Sequence, residues 1–352
     1  MKSPALVAWV SGGLQWASLI FLGSVLLVFG TLSARFFTLE NFVAILDQSS
    51  WLITVAVGMN FVLLTAGVDL SVGAAMYLAV VVIGLGFAGM PAPVCILVAG
   101  GVGAIFGALN GVLVVRWGVP AFIVTLATVF IGRGLGFYLS STKIVFAGSA
   151  LAEVGRNRIG GVPIPLCLAA VAVLLAAVIL RATPFGSAVR AIGADPEGAR
   201  RAGVPVQAVT WAVYCLCGAF AGFGGFISFS QTSAATGAFG QNAEFLAIAA
   251  AVLGGTSLFG GRGTWYAPVL GALLIMTVQN GLVLINANPY AYPVITGSVI
   301  FLAALLDSVR LKFIARTERR RICPDELDPA HVPVGMPSYS GAGCGLERGG
   351  KS

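Results

Sequence analysis

The chain has 352 residues, of which 58% are apolar and only 9% are charged, with a formal net charge of +7. Soluble domains carry about 25% charged residues, so this composition excludes an ordinary soluble domain and indicates an all-α integral membrane protein. The basic residues are spread over loops and one terminus without an aromatic-rich basic face, which argues against nucleic acid as a partner. Such a distribution is instead typical of a chain oriented in a lipid membrane.

Successive apolar runs predict about ten transmembrane helices, within a range of eight to ten, because one span needs about 20 residues. The third and eighth runs are short and interrupted by glycine, which predicts broken helices. An uncleaved first span fits the first run better than a cleaved signal peptide does, because the run is long and another follows at once. The predicted spans are residues 14–34, 46–66, 71–88, 93–115, 119–140, 163–181, 208–230, 243–258, 266–286 and 291–308.

Two arginine-rich segments predict the orientation of the chain. They are the polar segment 182–207 and the segment after residue 310, and the positive-inside rule places both in the cytoplasm. Four predicted spans separate them, an even number that fits this placement. With ten spans in all, both termini are expected in the cytoplasm. Residues 1–309 are therefore predicted to form a transmembrane domain, and residues 310–352, which are charged and then rich in glycine, serine and proline, a disordered cytoplasmic tail.

Two pairs of similar segments suggest an internal pseudo-repeat. Residues 67–73 (GVDLSVG) resemble residues 255–261 (GTSLFGG), an offset of 188, while Asn110-Gly111 and Asn280-Gly281 lie in similar apolar runs at an offset of 170. Repeats that contain interrupted helices are typical of transporters. Chance similarity in a chain rich in glycine and leucine is the alternative, since the two offsets differ.

Glycines at four-residue spacing predict close helix packing. Small residues on one face of a helix let a second backbone approach closely in a membrane. The residues concerned are Gly103, Gly107 and Gly111 in one predicted span and Gly218 and Gly222 in another.

Two acidic residues lie at the starts of apolar runs, and each has two interpretations. Asp69 is either the N-cap of the third span or a polar group that lines a path at a broken helix. Glu244 is either a carboxylate that suits the N-terminal dipole of its helix or a group that faces the path.

The sequence shows no catalytic constellation and no nucleotide-binding phosphate loop. No G-x-x-x-x-G-K-[ST] phosphate loop occurs, and the single histidine, His331, lies in the predicted tail. The six cysteines show no metal-binding spacing. The chain is therefore expected not to be an enzyme and to bind no cofactor, and any ATP that drives it must bind to another subunit.

Several long motifs, in order along residues 50–308, resemble the permease subunits of bacterial ABC importers for simple sugars, the ribose/xylose type. The motifs are residues 58–73, residues 107–115 with 120–128 and Arg133-Gly-Leu, residues 183–204, and residues 244–263. The resemblance implies a permease in the bacterial inner membrane, paired with a second permease copy. It also implies an ABC ATPase subunit that binds ATP and a periplasmic solute-binding protein that delivers a sugar.

Within the polar segment, residues 197–203 (EGARRAG) resemble the Glu-Ala-Ala-x-x-x-Gly motif with which such permeases dock on their ATPase. Asp195 is predicted to cap a short helix that begins at Pro196, and Gly198 replaces the alanine of the motif, which lowers helix propensity by about 1 kcal/mol. A solvated charged turn without a partner is the alternative. The predicted ATPase-coupling residues are Asp195, Glu197, Gly198, Ala199, Arg200, Arg201 and Gly203.

A translocation path needs polar side chains within the apolar segments. Asn60, where relatives often carry threonine, is one departure from the family pattern. The candidates are Asn60, Asp69, Asn110, Thr125, Glu244 and Asn280. A secondary transporter or channel without an ATPase is the alternative function; proteins of that class usually place ionisable groups inside their spans, which are few here.

Overall fold

The structure is a computed structural model that describes residues 17–298 together with residues 301 and 305. Helices dominate this part of the chain. They are α1 Ala17–Leu32, α2 Leu39–Leu64, α3 Val72–Gly86, α4 Ala92–Arg116, α5 Ala121–Ser140, α6 Ser149–Arg156, α7 Ile164–Ala182, α8 Pro184–Ala194, α9 Pro196–Arg201, α10 Val206–Thr232, α11 Ala243–Leu253 and α12 Ala267–Leu284.

The helices agree with nine of the ten predicted spans. Within the described residues, six helices (α2, α4, α5, α7, α10 and α12) are long and apolar enough to cross a membrane, and α1, α3 and α11 are shorter apolar helices. The third and eighth spans are the predicted short ones, with 15 and 11 residues. The tenth is described only in part, as a 3-10 turn at Pro289–Ala291 and helical residues 292–298. The predicted tail, residues 310–352, lies outside the described residues.

Proline and left-handed residues set several helix boundaries. Four spans, α4, α5, α7 and α10, begin directly after a proline at position 91, 120, 163 or 205. Proline suits this position because the first N–H groups of a helix have no partner inside the helix. Two spans end on a serine in the left-handed conformation, Ser141 after α5 and Ser233 after α10, a common way to terminate a helix.

The long helices α2 and α10 lie side by side and run in opposite directions. The Gln231 amide near the end of α10 donates to the Asp47 carbonyl near the start of α2 (2.7 Å). Further along, Gly224 contacts Trp51 and Val55, and Gly58 contacts Cys217. Residue numbers therefore rise along α2 as they fall along α10.

Reciprocal glycine contacts join α4 to α10, as predicted from the glycine spacing. A Cβ added at Gly103 would overlap the carbonyl oxygen of Gly218, and one added at Gly218 would overlap that of Gly103. Gly107 meets the Tyr214 carbonyl and Gly222 meets the Ala99 carbonyl in the same way. The two backbones touch over several turns, which only glycine permits at this distance.

The bundle has two ends with different structures. At the first, here called the polar-loop end, the α2 C-terminus accepts a hydrogen bond at Leu64 O from the Gly261 N–H (3.0 Å), and Gly193 of α8 packs against both groups. At the opposite end, strand β1 (Val145–Phe146) pairs with β4 (Ala234–Ala235), and α6 precedes a small hairpin of β2 (Arg158–Ile159) and β3 (Val162–Pro163).

The two halves of the chain form an inverted repeat. Each half contains a long helix, a short helix and a further apolar helix in the same order: α2, α3 and α4, then α10, α11 and α12. Because α2 and α10 are antiparallel, the halves have opposite orientations. The Asn110–Asn280 pairing fits this register. The pairing of residues 67–73 with 255–261 does not, because the first segment precedes a short helix and the second follows one.

The glycine contacts predict a contrast between two substitutions in α4, one on the face that packs on α10 and one in open space. Gly103→Ala would place a methyl group against the Gly218 carbonyl, and such overpacking costs about 1–3 kcal/mol. Gly101→Ala, on the same helix but in open space, is the control. We expect a lower thermal transition, measured by size-exclusion chromatography after heating in detergent, for Gly103→Ala only. Equal transitions for the two variants would contradict the packing described here.

Candidate functional site

The first site is the meeting point of the two short helices, where the N-termini of α3 and α11 face each other. Gly73, in the first turn of α3, lies against the Gly240 carbonyl and the Glu244 carboxylate. Gly240 adopts a left-handed φ of +66°, and a Cβ there would lie 2.7 Å from the Gly73 carbonyl oxygen. Two helix N-termini, each with unpaired N–H groups and a partial positive charge, therefore converge inside the bundle.

Asp69 lies in the break before α3 and is fully buried. Its Oδ1 accepts hydrogen bonds from the Ser71 backbone N–H (2.8 Å) and the Ser71 hydroxyl (2.6 Å). The Asn110 amide of α4 in turn donates to the Ser71 hydroxyl (2.8 Å). Asp69, Ser71 and Asn110 thus form one network that joins α3 to α4.

The network modifies the cap interpretation of Asp69. The N-cap position of α3 belongs to Ser71, and Asp69 binds the Ser71 N–H from two residues earlier. A hydrogen bond contributes about 0.5–1.5 kcal/mol net, or about 1.5–3 kcal/mol where one group is charged, against the roughly 2.5–3.5 kcal/mol that an acid costs at membrane depth. Two bonds therefore offset a large part of the cost of an acid here.

Two acceptor atoms of the network have no strong hydrogen-bond donor in the part of the chain that the structure describes. Among the described residues, Asp69 Oδ2 and Asn110 Oδ1 are buried and accept no hydrogen bond. The Cys217 thiol lies beside the Asp69 carboxylate, and the Tyr214 hydroxyl donates to the Val68 carbonyl (3.4 Å). A buried polar atom without a partner costs about 1–3 kcal/mol, so both oxygens are suited to accept a donor from a bound molecule.

Glu244 lies in the first turn of α11, the position that the sequence predicts for it. Its side chain is nearly buried. Arg133 of α5 interacts electrostatically with it and donates to the carbonyls of Gly237 and Phe239 (3.3 Å each). This arginine, half-buried within a span, holds the segment that enters the bundle before α11. The two interpretations of Glu244 are compatible, because the same carboxylate contacts the helix junction at Gly73.

Asn60 lies near the polar-loop end and binds a different part of the chain. Its amide donates to the Thr264 carbonyl (3.1 Å), and its Oδ1 accepts from the Thr256 hydroxyl (2.7 Å). Both partners flank the glycine-rich segment between α11 and α12. Asn60 therefore ties that segment to α2, and it makes no hydrogen bond to the Asp69 network within the described residues.

The remaining path candidates are buried, and within the described residues they make no hydrogen bond to this network. The Thr125 hydroxyl donates to the Ala121 carbonyl of its own helix (2.8 Å). Asn280 of α12 is buried, and its Oδ1 has no protein donor among the described residues. Asn110 and Asn280, which correspond in the inverted repeat, thus both carry an unpaired side-chain oxygen. Of the six candidates, Asp69 and Asn110 are joined by one network, and Glu244 lies at the adjacent helix junction.

The second site is the polar segment 183–204, which folds as two short helices rather than one. Helix α8 is anchored: the Arg190 guanidinium donates to the Leu180 carbonyl of α7 (2.8 Å), and Gly193 lies against Leu64 and Gly261. Helix α9 is the part that projects. Its residues are exposed except for half-buried Gly198 and buried Ala199, whose side chain packs into the apolar core.

Helix α9 has the predicted cap. The Asp195 carboxylate accepts from the Glu197 N–H (3.1 Å), and Pro196 occupies the first turn. Glu197 pairs with Arg200 (3.5 Å) and Arg201 (3.6 Å) on the exposed face. Gly203, with φ +83°, ends the turn in a conformation that favours glycine. The arrangement is a small charged helix held on an apolar base.

The structure gives a reason for glycine at position 198 that helix propensity alone does not. A Cβ at this position would lie 2.5 Å from Asp195 Oδ2. An alanine would displace the capping carboxylate, so the glycine that weakens the helix interior also makes room for its cap.

Comparison with known proteins identifies the chain. The model of the family described as the permease component of branched-chain amino acid transport systems matches residues 41–304. The chain belongs to this family of ABC-importer permeases. It is therefore a multi-pass membrane transport permease and not an enzyme. No solved structure matches it significantly.

Relatives align with this permease over most of their lengths. It is 35% identical to the ribose import permease of Escherichia coli (strain K12) over 310 residues, 86% of this chain and 95% of the relative. It is 33% identical to the D-allose transport system permease of the same strain, over 83% and 91% of the two chains. It is 34% identical to the galactose/methyl galactoside import permease of Haemophilus influenzae, over 81% and 92%. The resemblance seen in the sequence motifs is thus confirmed.

Three residues that sequence reasoning left without a role belong to the permease's sites. Ser71 links Asp69 to Asn110, and the Asp-x-Ser spacing, which favours a side-chain bond to the backbone two residues on, could have found it. Arg133 could have been found as the lone cation inside a span. Thr256 contacts Asn60 across 196 residues of sequence, and no local pattern indicates that pairing.

The contact between Gly198 and Asp195 predicts a non-additive pair of substitutions. Gly198→Ala alone should change the opening free energy of α9 little, because about 1 kcal/mol of helix propensity offsets a similar loss of the cap. In an Asp195→Ala background, the same substitution should stabilise α9 by about 1 kcal/mol. Amide hydrogen exchange of residues 195–203 measures both effects. Equal effects in the two backgrounds would show that the two side chains are not coupled.

Proposed function

We propose that the chain is the membrane-spanning subunit of an ABC importer that translocates a small sugar of the pentose or hexose class. The support for a sugar is that the relatives named above are import permeases for ribose, D-allose and galactose or methyl galactoside. A fructose import permease of Rhizobium meliloti is also 34% identical to the chain. A periplasmic binding protein delivers the sugar, and a separate ATPase subunit binds and hydrolyses ATP. The permease works as a pair, with a second copy or a related chain.

In this proposal the polar-loop end faces the cytoplasm of a bacterium and helix α9 docks on the ATPase. Three observations support that role: α9 is exposed and charged, it is capped as an independent helix, and its anchor α8 packs against the end of α2. Both termini then lie in the cytoplasm. ATP binding acts on transport only if it favours one conformation of the permease pair, and α9 transmits that preference.

The sugar path in this proposal runs past the junction of α3 and α11. Sugars carry several hydroxyl donors, and Asp69 Oδ2 and Asn110 Oδ1 are buried acceptors that accept no hydrogen bond within the described part of the chain. Glu244 and Arg133 lie at the same junction. Both are next to the segment before α11, which enters the bundle from the end opposite the polar-loop end. Asn280, whose Oδ1 accepts no hydrogen bond within the described residues, is a further contact in this proposal, whereas the polar groups of Asn60 and Thr125 already bind within the protein.

The docking role is tested by reversing one charge. Glu197→Lys replaces the partner of Arg200 and Arg201 with a third cation, and the fold should survive because exposed ion pairs contribute about 0–1 kcal/mol. We expect weaker co-purification with the ATPase and at least about tenfold slower ATP-driven uptake in proteoliposomes, a loss of about 1.4 kcal/mol in coupling.

The matched control is Glu153→Lys, the same charge change on an exposed residue of α6 at the opposite end. Undiminished co-purification and normal uptake for Glu197→Lys would overturn the docking role. Sugar uptake by the purified chain without any ATPase would instead support the secondary transporter.

The path is tested by a substitution that keeps shape and removes charge. Asp69→Asn should slow uptake by about tenfold or more, because it weakens hydrogen bonds to a charged group. Asp47→Asn is the control, since Asp47 lies in a span but binds Gln231 instead of the network. ATPase co-purification verifies that both variants fold. Uptake that is equal in the two variants would remove Asp69 from the path.

A further inference from the structure

A groove on the outside of the bundle has no role in the proposed transport cycle. It has a volume of about 450 Å³ and lies between α2, α7 and α12. Its walls are apolar, with Leu46 and Ile53 from α2, Val173 and Leu174 from α7, and Val269 from α12. Leu174 is 64% exposed, so the groove opens sideways from the bundle. Since all three helices are spans, that side faces the hydrocarbon of the membrane.

The groove is long and narrow rather than compact. Along α7 its lining extends from Leu166 to Arg181. At 1.5 Å per residue this distance is about 22 Å, close to the length of one extended acyl chain and longer than one leaflet's share of a roughly 30 Å hydrocarbon core. An elongated apolar molecule that lies along the helices matches this shape.

One end of the groove is charged. Arg181, at the end of α7, is the only ionisable residue among the described residues that line the groove. Among the described residues the ion pairs are those of Glu197 with Arg200 and Arg201, so no carboxylate neutralises Arg181 there. The Arg190 guanidinium binds the carbonyl of Leu180, the residue that precedes Arg181. Trp265 lines the same end, where an aromatic side chain typically marks the boundary between hydrocarbon and headgroups.

From these features we infer that the groove binds an anionic phospholipid, with one acyl chain along α7 and the phosphate at Arg181. A guanidinium forms strong hydrogen bonds with phosphate oxygens, and a basic residue in contact with the headgroup favours an anionic lipid over a neutral one about fivefold. A free phosphate ion would leave the apolar walls uncovered. Among the described residues, the groove shares no lining residue with the sugar path or with helix α9.

The test is native mass spectrometry of the purified permease after exchange into micelles with equal amounts of phosphatidylglycerol and phosphatidylcholine. The ratio of the two bound lipids is the readout. Arg181→Gln should lower the preference for phosphatidylglycerol about fivefold. Arg262→Gln, which removes an exposed cation at the same end but outside the groove, should leave the ratio unchanged.

A second variant tests the apolar part of the site. Ala170→Phe would fill the groove while Arg181 stays in place, and we expect it to reduce the bound phosphatidylglycerol by a similar factor. An unchanged lipid ratio in Arg181→Gln would overturn the inference, as would an equal drop in Arg262→Gln. Loss of the dimer in Ala170→Phe with lipid binding intact would show that a second copy of the chain occupies the groove.

Discussion

The structure depends on how two interrupted helices satisfy their backbone inside a membrane. Lipid offers no hydrogen bonds, so a break in a span is tolerated only where protein groups replace them. The break before α3 is satisfied by Asp69 and Ser71, and the segment before α11 is held by Arg133 through the carbonyls of Gly237 and Phe239. Asp69 and Arg133 thus supply hydrogen bonds to the backbone at both breaks.

The inverted repeat explains why the breaks meet. In two halves of opposite orientation, α3 and α11 run in opposite directions, so their N-termini approach each other from the two ends of the bundle. Close backbone contact at Gly73 and Gly240 permits this approach, and the glycine contacts between α4 and α10 hold the halves together around it. A polar centre surrounded by small residues follows from the repeat, and such a centre suits a solute that moves through the protein.

Hydropathy predicted most of the fold because span length and apolar content are fixed by the membrane. It located nine described helices and identified α3 and α11 as short. It did not predict the register of the repeat, since residues 67–73 and 255–261 resemble each other in glycine and leucine, which pack equally well in many places. The Asn110–Asn280 pairing survived because each asparagine occupies the same helix of its half. The Asp195 cap was predictable from neighbouring residues, whereas the bonds of Asn60 to Thr256 and Thr264 join distant parts of the chain.

The same contacts indicate how a force on α9 reaches the centre in the proposed transport cycle. Helix α8 is pinned by Arg190 to α7 and by Gly193 to the end of α2 and to Gly261. Asn60 ties the segment that contains Gly261 to α2 as well. A displacement of α8 and α9 therefore acts on the ends of α2 and α11 together, and these are the two helices adjoining the breaks. Close-packed cores change between a few discrete arrangements and do not deform gradually. Such a displacement would therefore reach the helix junction as a rigid shift of both halves.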